Sequence, residues 1–501
     1  MSVPTYEEWL AGGGERTAGF GGGDGLSVAG AFVLSKIEHF YKLAWDVENG
    51  FTYAGTYFHL SCDLDMEGMP WRPIGYFTTP FDKREFAGFL IGGGHTIHSF
   101  AIEAEAGRTV GIFGFTDGAE IRDLRIGNFK IVGKGTTGAL VGFAISTKIS
   151  NCHAGGAISE MSDESVNVGG LVGTAGRCVV SGCTAGSKIT ASGCRGVGGL
   201  CGYAYNDTRI DRCRAVREIF ASRTIDTGGL IGTLRDSQVS DSASDVAMSG
   251  LNNENIGGFC GGAYDSRVNA CRATGPVSNR NDRDDACVGG FLGHGNSLIA
   301  ACAASGDVDS HGGGGRVGGF AGSAAESQIR SSCAVGDVTG EGRVGGFIGH
   351  LNCSDGAYVR IEDCYAAGDV KVRGEVRDTI AAGFVGKIDR DGGSIVIARC
   401  YAFGTLYGTP YGFFGENIYA TVMNCFWRKD ETVNAGKEAV HGIPTLTTEE
   451  FGVQDRFEAA DWVFGGQEPV WCYTGSIDPA RPHLADAPVL ARAAKKSGPN
   501  A

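Results

Sequence analysis

The sequence predicts an all-β solenoid, a right-handed parallel β-helix of about eleven coils with a short N-terminal capping helix, and two observations carry that prediction. A glycine-rich motif recurs eleven times between Val110 and Gly415. A second motif, in which a β-branched residue is followed three places later by cysteine, keeps step with it at a spacing near thirty residues. A fixed period of roughly 20–50 residues marks a chain that stacks one supersecondary unit on the next.

The first motif reads Gly-Gly, then Leu or Phe, then a small or apolar residue, then Gly. It stands at Gly169-Gly170-Leu171-Val172-Gly173 and recurs around Leu200, Leu230, Phe259, Phe291, Phe320, Phe347, Phe384 and Phe413, with weaker copies around Ile112 and Leu140. The cysteines of the second motif are Cys152, Cys183, Cys213, Cys271, Cys302, Cys333, Cys364, Cys400 and Cys425. Ser242 fills the gap among them and Leu124 takes the equivalent place in the first copy. Each unit holds short Val/Ile-rich stretches, such as Val317 to Ala321, Gln328 to Val335 and Asp337 to Thr339, broken by Gly, Ser and Asp; none has the ten-residue 3.6 period of a helix. Three short strands in thirty residues make one coil of a β-helix, whereas a propeller blade needs about forty residues and four strands. Stacked coils place equivalent residues over one another every ~4.8 Å. The Leu/Phe positions should therefore form an interior apolar ladder, and the cysteines a second ladder of small buried thiols.

Bulk composition agrees. At 501 residues the chain is longer than the ~250–300 at which one globular core stops growing, and 84 glycines are more than twice the number that an average usage of about 7% would give. The net charge of −14 argues against nucleic acid as a partner, and no Lys/Arg run interleaved with aromatics occurs. No window approaches ~18 apolar residues, so no membrane span is expected. The stretch after Met1 has neither the basic start nor the apolar core of a Sec signal peptide, and the odd total of 17 cysteines reads first as thiols.

The Gly-Gly-Phe/Leu-x-Gly unit followed by Ile-x-x-Cys-x-Ala resembles the GLUG-motif repeat family of bacterial surface, secreted or phage β-helix proteins. Phe58 to Asp65, Trp71-Arg72-Pro73-Ile74-Gly75 and Gly94-His95-Thr96-Ile97 resemble the opening coils of such proteins, although Ile91-Gly92-Gly93 stands where the family usually carries Asp-Gly-Asn. The resemblance spans roughly residues 30–484. It implies adhesion or an accessory role beside secreted enzymes, and brings no catalytic residues with it.

The ends divide as follows. Residues 1–29 read as a flexible Gly-rich arm, and 30–100 as a cap helix with lead-in coils. Residues 101–430 are the repeats, 431–484 a C-terminal cap with Trp462, Trp471 and Pro482-His483-Leu484, and 485–501 a disordered tail. Ser35-x-x-Glu38 predicts a capping box opening a helix through Asn49, with Gly50 as its stop and Ile37, Phe40, Ala44 and Val47 on one face. Such a helix would shield the open end of the first coil.

Carboxylates on one face of a coil can cleave glycosidic bonds. The candidates are Asp282, Asp284 and Asp285 in one coil-to-coil loop, and Asp389 with Asp391 in another, within the longest repeat of 36 residues between Cys364 and Cys400. The bland alternative is that aspartate simply favours exposed turns. No zinc motif, nucleophile elbow, P-loop or complete calcium loop occurs, so no cofactor or metal is expected. His294 and His350 share the place after the glycine motif, but Ser323 and Thr233 interrupt any metal ladder there. Two function classes remain. The first is a non-enzymatic binding rod, adhesin-like or tail-spike-like, that recognises a glycan or protein receptor at a cell surface or on a virion; cytoplasmic synthesis without a Sec signal suits the virion. The alternative is a polysaccharide lyase or glycoside hydrolase.

Overall fold

The structure, a computed structural model, describes residues 4–17, 19–104, 107–161, 166–281, 285–312, 315–373, 379–408, 411–416, 419–429, 443–464, 471–472 and 481–484. The chain is a parallel β-solenoid of about twelve turns. It divides into two compact units, Met1–Arg267 with Ser278–Asn281, and Val268–Val277 with Asp282–Ala501. The lead-in already coils in register, Phe58 over Leu90 and Leu90 over Ile121, which adds turns before the recognisable motifs begin.

One coil of the first unit shows the plan. A strand of the third sheet, Asn167–Gly169, is followed by a bend and by two strands of the first sheet, Val172–Gly176 and Val179–Ser181. Two strands of the second sheet, Thr184–Ala185 and Lys188–Ser192, complete the turn. The next coil repeats this in parallel register, with Val172 beside Cys201, Val180 beside Ile210, Ile189 beside Ile219 and Val168 beside Val197. The stretch Val317 to Ala321, expected as one strand, bends instead: Arg316–Gly318 belongs to the third sheet and Ala321–Ala325 to the first.

The bend explains the glycine motif. A Cβ on Gly198 would lie 2.0 Å from the Cys201 carbonyl oxygen, and one on Gly199 would lie 2.1 Å from the Gly229 carbonyl oxygen in the next coil. A Cβ on Gly202 would stand 2.6 Å from the Val168 amide nitrogen. Close backbone approach, rather than positive φ, excludes larger residues here. The Leu or Phe between these glycines points inward. Leu171, Leu200, Leu230 and Phe259 are fully buried in the first unit, with Leu200 N–H donating to Leu230 O at 2.9 Å. In the second unit, the rings of Phe291, Phe320, Phe347, Phe384 and Phe413 stack at successive centroid separations of 4.9, 4.8, 4.9 and 4.7 Å.

The cysteine ladder occupies the corner between the first and second sheets. The residue before each rung adopts a left-handed conformation: Asn151 (φ 51°), Gly182 (63°), Arg212 (48°) and Asp241 (48°) in the first unit. The rung side chain then donates back to the carbonyl two residues earlier, from Cys152 to Ser150 and from Cys183 to Ser181 at 3.3 Å, and from Ser242 to Ser240 at 2.7 Å. Cysteine and serine exchange here because both are small and both carry a donor hydrogen. One expected rung is corrected. Ser331 has the left-handed φ of 46°, Ser332 Oγ donates to Arg330 O, and Cys302 N–H donates to Ser332 Oγ. Ser332 is therefore the rung, and Cys333, one residue on, faces the opposite side. The sixteen cysteines from Cys62 to Cys425 are free thiols.

That opposite side is covered in the second unit. Cys333 packs with Ala303, Tyr365, Tyr401 and Phe426 against Phe451, Phe457, Trp462, Trp471 and Leu484. Trp462 and Trp471 lie 4.3 Å apart, and the Tyr401 hydroxyl donates to Pro482 O at 2.6 Å. The described residues of 443–484 thus pack along the second sheet, and the expected 485–501 tail lies outside the described residues.

At the start, the helix Ile37–Glu48 buries Ile37, Phe40, Ala44 and Val47. Its N-cap is Lys36, without a side-chain bond, so the Ser35 capping box does not form; Ser35 N–H donates to His39 Nδ1 instead. Phe40 sits on Trp71, which in turn sits on Phe100. Residues 1–29 are not a bare arm along their described length. Tyr6–Ala11 is a helix with a Thr5/Glu8 capping box, and its Tyr6 and Trp9 pack on Tyr41 at 5.5 and 6.0 Å. The glycines obscured that aromatic anchor.

Candidate functional site

The sharp bend at the Gly-Gly-Leu/Phe motif sets two outward ladders face to face. One is the residue that precedes the fully buried position of the third-sheet strands, such as Asn167 before Val168 and Arg316 before Val317. The other lies seven residues on, in the first sheet. In the first unit these ladders read Asn167, Gly196, Asp226, Asn255 and Thr174, Tyr203, Thr233, Gly262. Their polar groups bond one another across the groove. Asn167 Nδ2 donates to Thr174 Oγ1 at 3.1 Å, and Asp226 accepts from Thr233 Oγ1 at 2.7 Å and from Asn255 Nδ2 at 2.8 Å. Burial raises the Asp226 pKa against those bonds.

In the second unit the same positions carry Cys287, Arg316, Arg343, Ile380 and, seven residues on, His294, Ser323, His350, Lys387. His350 is 7% exposed, and its Nε2 lies 2.9 Å from Asp389 Oδ2. Lys387 Nζ is 3.1 Å from the same oxygen. Burial drives the His350 pKa down to about 4, with Arg316 and Arg343 adding to the effect and Asp389 opposing it. His294 is lowered too, by burial and then by Arg316. Burial alone would raise the Asp389 pKa, but the bonds from His350 and Lys387 bring it below the ordinary value.

A neutral imidazole beside an ionised carboxylate must donate through Nε2, which leaves Nδ1 as a bare acceptor. That Nδ1 is buried and has no hydrogen-bond partner among the described residues, and Arg316 Nε is in the same condition. Arg316 donates through Nη1 to Cys287 Sγ at 3.5 Å. Neither Arg316 nor Arg343 meets a carboxylate among the described residues, in a chain whose net charge is −14.

Of the carboxylates singled out in the sequence, Asp389 enters this groove. Asp391 lies in the exposed turn beyond it, its N–H donating to Cys353 O at 2.9 Å. Asp285 lies in an exposed turn, and Asp282 and Asp284 fall outside the described residues. Arg316 and Arg343 were not singled out. The signal was present, because each stands seven residues before the Ser323 or His350 position, but it becomes visible only once the bend is known to fold one ladder onto the other. Among the described residues no group of three or more His, Cys, Asp or Glu could hold a metal, and no helix is long and apolar enough to cross a membrane.

The first unit also has a cleft of about 360 Å³ lined by Tyr6, Trp71, Arg72, Tyr76 and Arg108. Its cations are engaged, Arg72 with Glu48 at 2.7 Å and over the Tyr6 ring, and Arg108 over the Tyr76 ring.

No family model matches the chain. Over 138 residues, 26% of this chain, it is 30% identical to halomucin of Haloquadratum walsbyi, and it spans about 1% of the length of that protein. Among solved structures, a Bacteroides ovatus protein provisionally assigned as an immunoglobulin A1 protease aligns over 94% of this chain and 96% of its own, at 15% identity and a TM-score of 0.29. An IgA1 protease aligns over 79% of this chain and 21% of its own, at 14% identity and a TM-score of 0.26.

Proposed function

We propose that this protein is a non-catalytic binding solenoid of the GLUG-motif type that holds a glycan in the groove lined by Arg316, Arg343 and His350, acting outside the cell at a surface or on a virion. One observation carries the reading: His350 Nδ1 is a buried acceptor with no partner among the described residues. A buried polar atom left without a bond costs about 1–3 kcal/mol, a cost that a ligand hydroxyl would remove. Sugars bring such hydroxyls at high density. The repeat-by-repeat resemblance to bacterial surface proteins supports the location. The test is binding of the full chain to a panel of bacterial and host polysaccharides, with reducing-sugar release followed in parallel. Saturable binding without sugar release is expected.

A second reading rests on the His350–Asp389 pair. A carboxylate that orients a neutral imidazole is also the arrangement of a general base. If the groove cleaves glycans, reducing sugar appears and Asp389→Asn abolishes it while the variant stays folded; loss on Asp284→Asn or Asp391→Asn instead would move the chemistry to the loops.

A further inference from the structure

We infer that the groove selects a uronate, a sugar whose ring carries a carboxylate, and this rests on the glycan-binding reading above. The arginines lie in register on adjacent coils, Arg316 beside Arg343, so their Cα atoms are separated by one strand spacing of ~4.8 Å. Two planar guanidinium groups carried side by side on adjacent coils can meet the two oxygens of one carboxylate, or two carboxylates on successive residues. Aspartate and glutamate, the acids that would ordinarily neutralise them, do not reach either arginine among the described residues. Asp389, which enters the groove, is instead held by His350 and Lys387. A cationic pair beside an ionised acid that is already occupied is a place for a further anion.

The second observation is independent of charge. His350 Nδ1 is a bare acceptor, since burial and the two arginines keep the ring neutral, so its natural partner is a neutral donor such as a hydroxyl. Ser323, buried and in register with His350, lies between the histidine and His294 on the same ladder. A free anion without a hydroxyl, such as sulfate, would satisfy the arginines and leave Nδ1 unbonded, whereas a neutral sugar would satisfy Nδ1 and leave the arginines unpaired. A hexuronate carries both groups on one ring.

The experiment is calorimetric titration of the full chain with tetragalacturonate, with its carboxyl-reduced counterpart, which keeps every ring hydroxyl, and with a sulfated galactose tetramer of equal length. Uronate is expected to bind at least tenfold more tightly than the reduced tetramer, with an affinity that falls as salt rises. Arg316→Gln and Arg343→Gln should each remove most of that preference by weakening the uronate far more than the reduced tetramer, while His350→Gln should weaken both ligands to a similar extent. Thermal melts of each variant report whether it folds. Equal binding of the uronate and reduced tetramers, or a preference that survives both arginine substitutions in folded protein, overturns the inference and leaves glycan binding standing. A preference for the sulfated tetramer over uronate overturns the carboxylate assignment. No binding of any polysaccharide to wild type removes the broader reading along with it.

Discussion

His350 Nε2 lies 2.9 Å from Oδ2 of Asp389 on the next coil, and the imidazole is buried beside Arg316 and Arg343 with its pKa pushed down to about 4. An imidazole whose folded pKa lies below its unfolded value near 6.5 stabilises the fold fully above pH 6.5, and that contribution is lost as pH falls towards 4. Between pH 7 and pH 5 the loss should be about 2 kcal/mol. Denaturant midpoints of wild type and His350→Asn at the two pH values measure it. The variant should lose less stability than wild type over that interval, and an equal loss in both proteins would place the histidine in solvent.

Phe320 is fully buried between Phe291 and Phe347, at ring separations of 4.9 and 4.8 Å. Replacing it with alanine opens a cavity and removes two stacking contacts, which should cost about 3–5 kcal/mol. Urea or guanidinium unfolding monitored in the second unit gives the number. A variant that unfolds no more easily than wild type would mean that the ring contributes nothing to the core.

Period and motif reach far into this structure because each rung repeats the same local demand. The glycines at 198, 199 and 202 could be read as necessary without knowing where each carbonyl stands, since the place of Gly202 is glycine in all eleven copies, that of Gly199 in ten and that of Gly198 in eight. Registry at the level of a single residue could not. Cys333 looks like a rung by spacing alone, but the left-handed residue is Ser331, which makes Ser332 the rung. Cys333 then belongs with Tyr365, Tyr401 and Phe426, a column that becomes apolar towards the C-terminus because the chain folds back along it. The groove was illegible for a related reason. Arg316 and His350 are 34 positions apart in sequence, and only the bend at each glycine motif brings their ladders together. The aspartates stood out instead because they cluster in sequence, although of those in described positions only Asp389 enters the groove.

Ser242 tests why the rungs alternate between cysteine and serine. Its Oγ accepts the Cys213 N–H at 3.0 Å and donates to Ser240 O at 2.7 Å. Ser242→Ala leaves the buried Cys213 N–H without its acceptor, while Ser240 O keeps the Arg212 N–H, and should destabilise by about 1–3 kcal/mol, whereas Ser242→Cys keeps a group that can fill both roles and should stay within about 1 kcal/mol of wild type. Equal losses in the two variants would show that volume, and not hydrogen bonding, governs the rung.

Glu160 points the opposite way in pH from His350. It occupies an interior position in the first unit, between Gly133 and Ala191 on the neighbouring coils, and is fully buried. Thr137 Oγ1 donates to its Oε2 at 3.0 Å, while Oε1 has no partner among the described residues. Burial outweighs the bonds from Thr137 and the Gly135 backbone and raises the carboxyl pKa to about 7. A group that holds its proton more tightly when folded stabilises the fold below its unfolded pKa near 4.5, and that stability is lost as pH rises through 7. Between pH 5 and pH 8 wild type should therefore lose about 2–3 kcal/mol at this one site. Glu160→Gln keeps the shape of the protonated acid and cannot ionise, so its stability in the first unit should hold nearly level over the same interval and exceed that of wild type at pH 8. Parallel pH profiles for the two proteins would mean that the carboxylate finds solvent or a cation on ionising.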